Sequence, residues 1–345
     1  MIGENQMKDV IFKVLTKDDV SKMSDLLLNR QKIESEHFHF LNNSILNKQF
    51  LEELLHSKFL DHHVIGIGAI YQEKLLGYIF GEVVISNRIG RAIWVPYEGV
   101  AILEDQLSKL LRILYSKVSE LWIKHGCFNH NILIPMATNM YYEAFVNLSF
   151  AIEQVYGVMD VHAYMPFKES EDVSIRIAEE KDREVIKSMS SILSHYQNQS
   201  PVYIPAFPEV IENTRLAFER LIDEEDVLVL LAQIDNLDCG FFEYEKIKPS
   251  LMNPENSIEL CTAGVVASYM SKGVGKKLMN EGNEIIKKMG YNYIVTDWRI
   301  TNLASSSFWP KCGFNPIAYK MVRQIDSNNA WATFDNPSIH VKSLG

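Results

Sequence analysis

Two kinds of apolar segment alternate along the chain. Short alternating pieces, Ile11 to Val14 and Ile175 to Ile177, predict strands. Each leads into a helical stretch with an acidic start, Lys17-Asp18-Asp19 and Glu179-Glu180-Lys181-Asp182. Variable, partly helical sequence follows. Apolar strands come next: Val64 to Ala69 and Leu75 to Val83, then Val227 to Gln233 and Cys239 to Glu245. Turn-forming pieces, Gln72-Glu73-Lys74 and Asp235-Asn236-Leu237-Asp238, lie between them. A further strand then feeds a helix, and each half closes on strand, helix and a Ser-Phe or Gly-Phe corner. Strands in a row followed by a strand–helix–strand unit predict an α/β (α+β) class, with a mixed, mostly antiparallel sheet flanked by helices.

The same order occurs twice. Asp9-Val10-Ile11-Phe12-Lys13-Val14 matches Asp172-Val173-Ser174-Ile175-Arg176-Ile177 at an offset of 163. That offset also carries Gly77 onto Gly240 and Thr138-Asn139 onto Thr301-Asn302. An offset of 164 carries Gly126 onto Gly290 and Phe150 onto Phe314. Several matches in order predict two copies of one domain. The polar joint Pro166 to Asp172 divides them, giving domains over 1–168 and 169–326 and a tail over 327–345. Trp331 and Phe334 predict that the tail packs back onto a domain.

Composition narrows the classes. A chain of 345 residues with 47% hydrophobic and 23% charged residues holds two ordinary cores. A net charge of −10 and a pI near 5.5 argue against nucleic acid. Four widely spaced cysteines without a CxxC read as reduced thiols. The N-terminus lacks the pattern of a signal peptide, and no apolar run is long enough to span a membrane. A cytoplasmic protein is expected.

The sharpest motif lies in the second copy. Apolar sequence from Glu259 to Val266 reads as a strand, and helical periodicity starts near Gly273 with Val274, Leu278, Ile285 and Ile286. Glycines in such a turn bare backbone N–H groups to a phosphate, and the helix N-terminus adds partial positive charge. Lys272, Lys276 and Lys277 surround the turn. A Walker A loop fails at Met270 and Lys277, and a Rossmann fingerprint fails at Leu278. An ordinary glycine-flexed loop stays open on this motif alone.

Val265-Val266-Ala267 followed by Lys272-Gly273-Val274-Gly275-Lys276 resembles the acetyl-CoA loop of the GNAT N-acetyltransferases. Met270 departs from the family's Arg or Gln, and Ala267 from its common Pro. Downstream, Asn302-Leu-Ala-Ser-Ser-Ser-Phe308-Trp309-Pro-Lys-Cys-Gly313-Phe314 is similar to the family's second signature. The resemblance covers the whole second copy and implies two tandem GNAT-like domains. It implies acetyl-CoA as co-substrate, held by Val265, Val266, Ala267, Lys272, Gly273, Val274, Gly275, Lys276, Asn302 and Phe308. Asn302 would contact the pantetheine arm or else cap a helix. The first copy lacks the loop: Lys109 and Leu111 stand where Gly273 and Gly275 would align, near Glu104-Asp105. It is expected to keep the fold without the cofactor.

The resemblance further implies direct attack of an amine on the thioester, which needs a base because alkyl amines arrive protonated. Glu259, 14 residues before Gly273, stands where many members carry a strand glutamate. An exposed structural carboxylate is the competing reading. Trp309 occupies the usual Tyr position and cannot donate a proton usefully, so the proton for the thiolate comes from elsewhere or from water, with Tyr319 on the last strand as one candidate acid. Cys261 is expected to share a strand face with Glu259 as an inert thiol. His37, His39, His62 and His63 lack partners at ligand spacing, so no metal is expected. Ser194 to Pro208 is an aromatic, proline-stiffened segment in the region where, by the resemblance, the acceptor site is bordered. The expectation is an N-acetyltransferase acting on a small-molecule amine, with a homodimer allowed. The alternative is a non-catalytic acyl-CoA sensor or interaction protein.

Overall fold

The computed structural model describes residues 9–41, 46–60, 63–86, 89–103, 107–168 and 171–332. They form two compact units. Unit 1 comprises Met1–Ile33, Leu46–Ala151 and Lys320–Gly345; unit 2 comprises Glu34–Ile45 and Ile152–Tyr319. The first half of the chain runs β1 (Ile11–Val14), α1 (Val20–His37), α2 (Lys48–Lys58), β2 (Val64–Tyr71), β3 (Lys74–Ser86), β4 (Gly90–Val95), β5 (Val100–Ile102), α3 (Leu107–Lys124), β6 (Asn129–Pro135), α4 (Asn139–Val146) and β7 (Ala151–Asp160). The second runs β8 (Ser174–Ile177), α5 (Arg183–Met189), α6 (Ser191–Asn198), α7 (Pro208–Arg220), β9 (Val227–Ile234), β10 (Leu237–Lys246), β11 (Ser257–Val265), α8 (Val274–Lys288), β12 (Tyr293–Arg299), α9 (Leu303–Lys311) and β13 (Asn315–Gln324). Among the described residues no helix is long and apolar enough to cross a membrane.

The repeat is written into the backbone. In each copy a 3-10 turn opens on a capping box, Thr16 with Asp19 and Glu179 with Asp182. Each buried aspartate also pairs with a cation on the strand before it, Lys13–Asp19 at 2.7 Å and Arg176–Asp182 at 2.5 Å. The two hairpins turn through matched left-handed pairs, Gln72-Glu73 and Asp235-Asn236. Gly126 and Gly290 likewise share a positive φ after α3 and α8.

The units do not follow the sequence halves. In unit 2 the strand order is β7-β12-β11-β10-β9-β8, so the last strand of the first half completes the sheet of the second. β7 pairs antiparallel with β12 from Tyr293↔Asp160 to Arg299↔Gln154. In unit 1 the order is β1-β2-β3-β4-β6, with β5 on β3, and the part of β13 from Lys320 follows β6. The boundary of the units follows hydrogen-bonded pairing and not the polar joint near 166–172. In the tail, Trp331 follows a polar 3-10 turn, Ser327–Ala330, and is 63% exposed. Phe334 lies outside the described residues.

Unit 1 has a turn in place of a continuous strand after β4. Its β4 is parallel to β6 from Ala92↔Asn129 to Val95↔Ile132. Pro96 and a 3-10 turn, Tyr97–Gly99, then interrupt the strand before β5. Buried Arg30 fixes this turn: Nη1 donates to the carbonyls of Tyr97 (2.6 Å) and Val100 (2.5 Å), and the guanidinium lies over the Tyr97 ring. Leu111, aligned with Gly275, is fully buried in α3. Glu104 and Asp105 lie outside the described residues.

In unit 2, α8 and α9 cover one face of the sheet over Phe242, Tyr244, Leu278, Ile294, Trp298 and Trp309. α5 and α7 cover part of the other, over Phe218, Leu231 and Phe241. Gly282 lets α8 lie close on β10: a Cβ there would come within 2.4 Å of the Tyr244 hydroxyl oxygen. Gly282→Ala should therefore destabilise the protein by about 1–3 kcal/mol, read as a lower denaturation midpoint at unchanged m-value.

Candidate active site

β11 and β12 begin as a parallel pair and then part. Only Ser257↔Tyr293, Ile258↔Ile294 and Glu259↔Val295 are in register. Beyond them each strand keeps its outer neighbour: β11 stays on β10 as far as Gly240↔Val265, and β12 stays on β7 as far as Arg299↔Gln154. The separation leaves inward backbone groups of both strands without each other as partners. The Thr296 hydroxyl bridges the apex by donating to the Leu260 carbonyl at 2.8 Å. An open wedge with main-chain donors on its walls suits an extended amide-containing ligand and a thioester oxygen.

The strand leads into a phosphate-type turn. Val266 N–H still donates to the Cys239 carbonyl, and Ala267–Tyr269 then form a 3-10 turn. Ser271 (φ 63°) and Gly273 (φ 87°) are left-handed, which turns the chain sharply into α8. As in any helix, the first N–H groups, those of Val274, Gly275 and Lys276, have no acceptor inside it. At Gly275 a Cβ would meet only the Phe308 ring, at 3.5 Å, an ordinary contact. The protein itself thus has room for a side chain there, and a glycine leaves the helix end open to a phosphate. Lys272 lies over the Tyr269 ring and Lys276 over the Phe167 ring. Phe308 stacks on Phe167 at 6.3 Å between centroids. The residues fit an acyl-CoA: an amide-binding wedge, then an anion-binding helix end.

The face of the sheet away from α8 is acidic. In-register pairing places Glu245 beside Glu259, and Glu259 beside Val295. Asp297, two residues on, shares that face, as does its partner Tyr156 on β7. A bulge in β11 between Leu260 and Thr262 keeps both Cys261 and Thr262 on this side. Burial pushes the Glu259 carboxyl above the ordinary range, and the charges of Asp297, Glu245 and Glu243 push it further. Burial raises Glu243 and Tyr156 as well. Gln154 on β7 donates its amide to Asp297. A cavity of about 340 Å³ opens further along β11, between Ile192, His195, Tyr196, Ala206, Ile211 and Val266.

The structure thus brings Glu259, Val265, Val266, Ala267, Lys272, Gly273, Val274, Gly275, Lys276 and Phe308 to one wedge and its mouth. Asn302 uses its side chain to cap α9, Oδ1 accepting from Ser305 N–H at 3.2 Å. Tyr319 is not brought to Glu259; it packs against the core on the α8 and α9 side. Trp309 is buried between Phe242, Phe308 and Phe314. Cys261 is exposed, 3.8 Å from a Glu245 carboxylate oxygen. Among the described residues the convergent set of metal-type ligand atoms is Glu243, Glu245 and Cys261, on the same acidic face. Sequence reasoning missed Asp297, Gln154 and Tyr156. Asp297 stood inside an apolar strand, and the other two were assigned to the first copy.

Comparison with known proteins agrees with this geometry. Residues 191–314 match the family model described as acetyltransferase (GNAT) family. No curated protein matches the chain by sequence. Among solved structures, a GCN5-related N-acetyltransferase from Sphaerobacter thermophilus is similar in fold, with a TM-score of 0.58 at 9% identity, covering 94% of this chain and 97% of that one. A tandem GNAT protein from the clavulanic acid biosynthesis pathway gives 0.51 at 10% identity, covering 91% and 98%. A glucosamine N-acetyltransferase region of a fungal multi-domain β-N-acetylglucosaminidase gives 0.53 at 14% identity, covering 91% of this chain and 38% of that one.

Proposed function

Because the chain carries an acetyltransferase domain of the GNAT family over residues 191–314, we propose that it is an acyl-CoA-dependent N-acetyltransferase for a small primary amine, with the donor held in unit 2 alone. The observation that carries this reading is the wedge between β11 and β12, with a glycine-opened helix end at its mouth and Glu259 at its apex. The donor, when bound, supplies an acetyl thioester; the amine forms the amide and the thiol is released. Lys272, Gly273, Val274, Gly275 and Lys276 would hold the pyrophosphate, and Val265 to Ala267 the pantetheine arm. Glu259 accepts the proton from the attacking nitrogen. With Trp309 buried as a packing residue, water supplies the proton to the leaving sulfur. In unit 1 the buried Leu111 stands where Gly275 aligns, which supports a single donor site.

Release of free thiol from acetyl-CoA by the full-length protein, across a panel of small amines, tests the reading. Amine-dependent release above the blank is expected. Tight binding of acetyl-CoA with no release from any amine would replace it with the acyl-CoA sensor.

A further inference from the structure

We propose that Asp297, held by the Gln154 amide, is a second carboxylate of the acceptor site and binds the acceptor's ammonium group across the wedge from Glu259. The proposal rests on the amine-acetyltransferase reading above and names how that site recognises its substrate.

The argument starts from register. Glu259 and Val295 are the last in-register pair of β11 and β12. Asp297 is two residues further along β12, so its side chain shares the face of Glu259 but stands on the opposite wall of the wedge. Strand spacing and rise set the two Cα atoms on the order of 8 Å apart, room for a small cation and a water between the carboxylates. Gln154, brought in by β7, donates to one Asp297 oxygen. That bond fixes the aim of the carboxylate.

Among the described residues, the charged groups that act on Glu259 are carboxylates, those of Asp297, Glu245 and Glu243. β10 brings Glu243 and Glu245, β11 brings Cys261, and β7 brings Tyr156 and Glu153. β12 brings Arg299, whose guanidinium is engaged by Glu153 at 2.5 Å. α6 places His195 and Tyr196 at the cavity beside Val266. Alkyl amines arrive as ammonium ions at neutral pH. An ammonium between Asp297 and Glu259 relieves the repulsion between them and sets its proton beside the base.

Kinetics of the full-length protein, with the best amine of the panel, decide the matter. Asp297→Asn should raise the amine KM roughly tenfold or more, while acetyl-CoA affinity stays unchanged. Loss of the neighbouring negative charge eases ionisation of Glu259, so the acidic limb of the kcat/KM profile should move to lower pH, by about one unit. Asp297→Glu keeps the charge and should keep the limb in place. Gln154→Ala should raise the amine KM several-fold without moving the limb. An Asp297→Asn enzyme with unchanged amine KM and limb overturns the proposal while the acetyltransferase reading stands. So does an Asp297→Asn enzyme that loses acetyl-CoA binding along with activity. An unsubstituted protein that binds acetyl-CoA yet acetylates no amine overturns both.

Discussion

Glu259→Gln is expected to lower kcat by roughly 10²–10⁴-fold, the range for a positioned general base. Acetyl-CoA affinity should barely change, because the helix end proposed for the pyrophosphate lies 14 residues downstream and would use backbone N–H groups. The loss should shrink as pH rises and more of the amine arrives deprotonated. A glutamate with a purely structural role would give the same loss at every pH, and near wild-type kcat in the variant would pass the role to a water chain or another group. Stability should move the other way. Burial and the neighbouring carboxylates hold this carboxyl above its ordinary value, so the native state binds its proton more tightly than the unfolded chain does. The stabilisation from that proton is complete below the unfolded pKa and is lost as pH rises through the folded one. At neutral pH the ionised side chain therefore weighs against folding. Glutamine removes that cost, and Tm should rise by about 2–4 °C for each kcal/mol recovered.

Gly275→Asp should weaken acetyl-CoA binding about a hundredfold in titration calorimetry, a loss of about 2.7 kcal/mol. The substitution separates folding from binding. A carboxylate in the first turn favours the α8 dipole by about 0.3–1 kcal/mol, and the new Cβ meets the Phe308 ring at an ordinary 3.5 Å. Thermal stability should therefore hold or rise. The same carboxylate stands where the N–H groups of Val274, Gly275 and Lys276 open, and it repels the pyrophosphate. Unchanged affinity in a folded variant would place the donor elsewhere in the protein.

The architecture was largely legible in the chain because its signals are local. Alternation gave the strands, the glycines after α3 and α8 gave the helix ends, and the offset of 163 survives in the capping boxes and hairpin turns. The proposed donor site stood out for the same reason: Val265 to Lys276 is contiguous, and such a turn would bind through its backbone geometry. The acceptor side was not. Glu259 was found from its distance to Gly273, but Asp297 becomes its neighbour only through parallel register. Gln154 and Tyr156 reach it only because β7 pairs with β12. Pairing between strands far apart in sequence leaves no mark on either one. Tyr319 illustrates the limit from the other side: an aromatic on the last strand suited an acid role by type, and the face it presents to the core removes it from Glu259.

The placement of β7 and β13 also sets an order of events during synthesis. A ribosome delivers Ala151–Asp160 well before Tyr293–Arg299, the strand that β7 must pair with in unit 2. Unit 1 in turn receives Lys320 to Gln324 only after Ile152–Tyr319 of unit 2 has been made. The domain made first is therefore the one that must wait longest for its final strand. Through most of translation β6 and β7 present open edges, the kind that invites pairing with other chains. A nascent chain released early, or a gene cut at the polar joint, leaves β12 without its partner and unit 1 without its closing strand, so both fragments should aggregate more than the uncut chain.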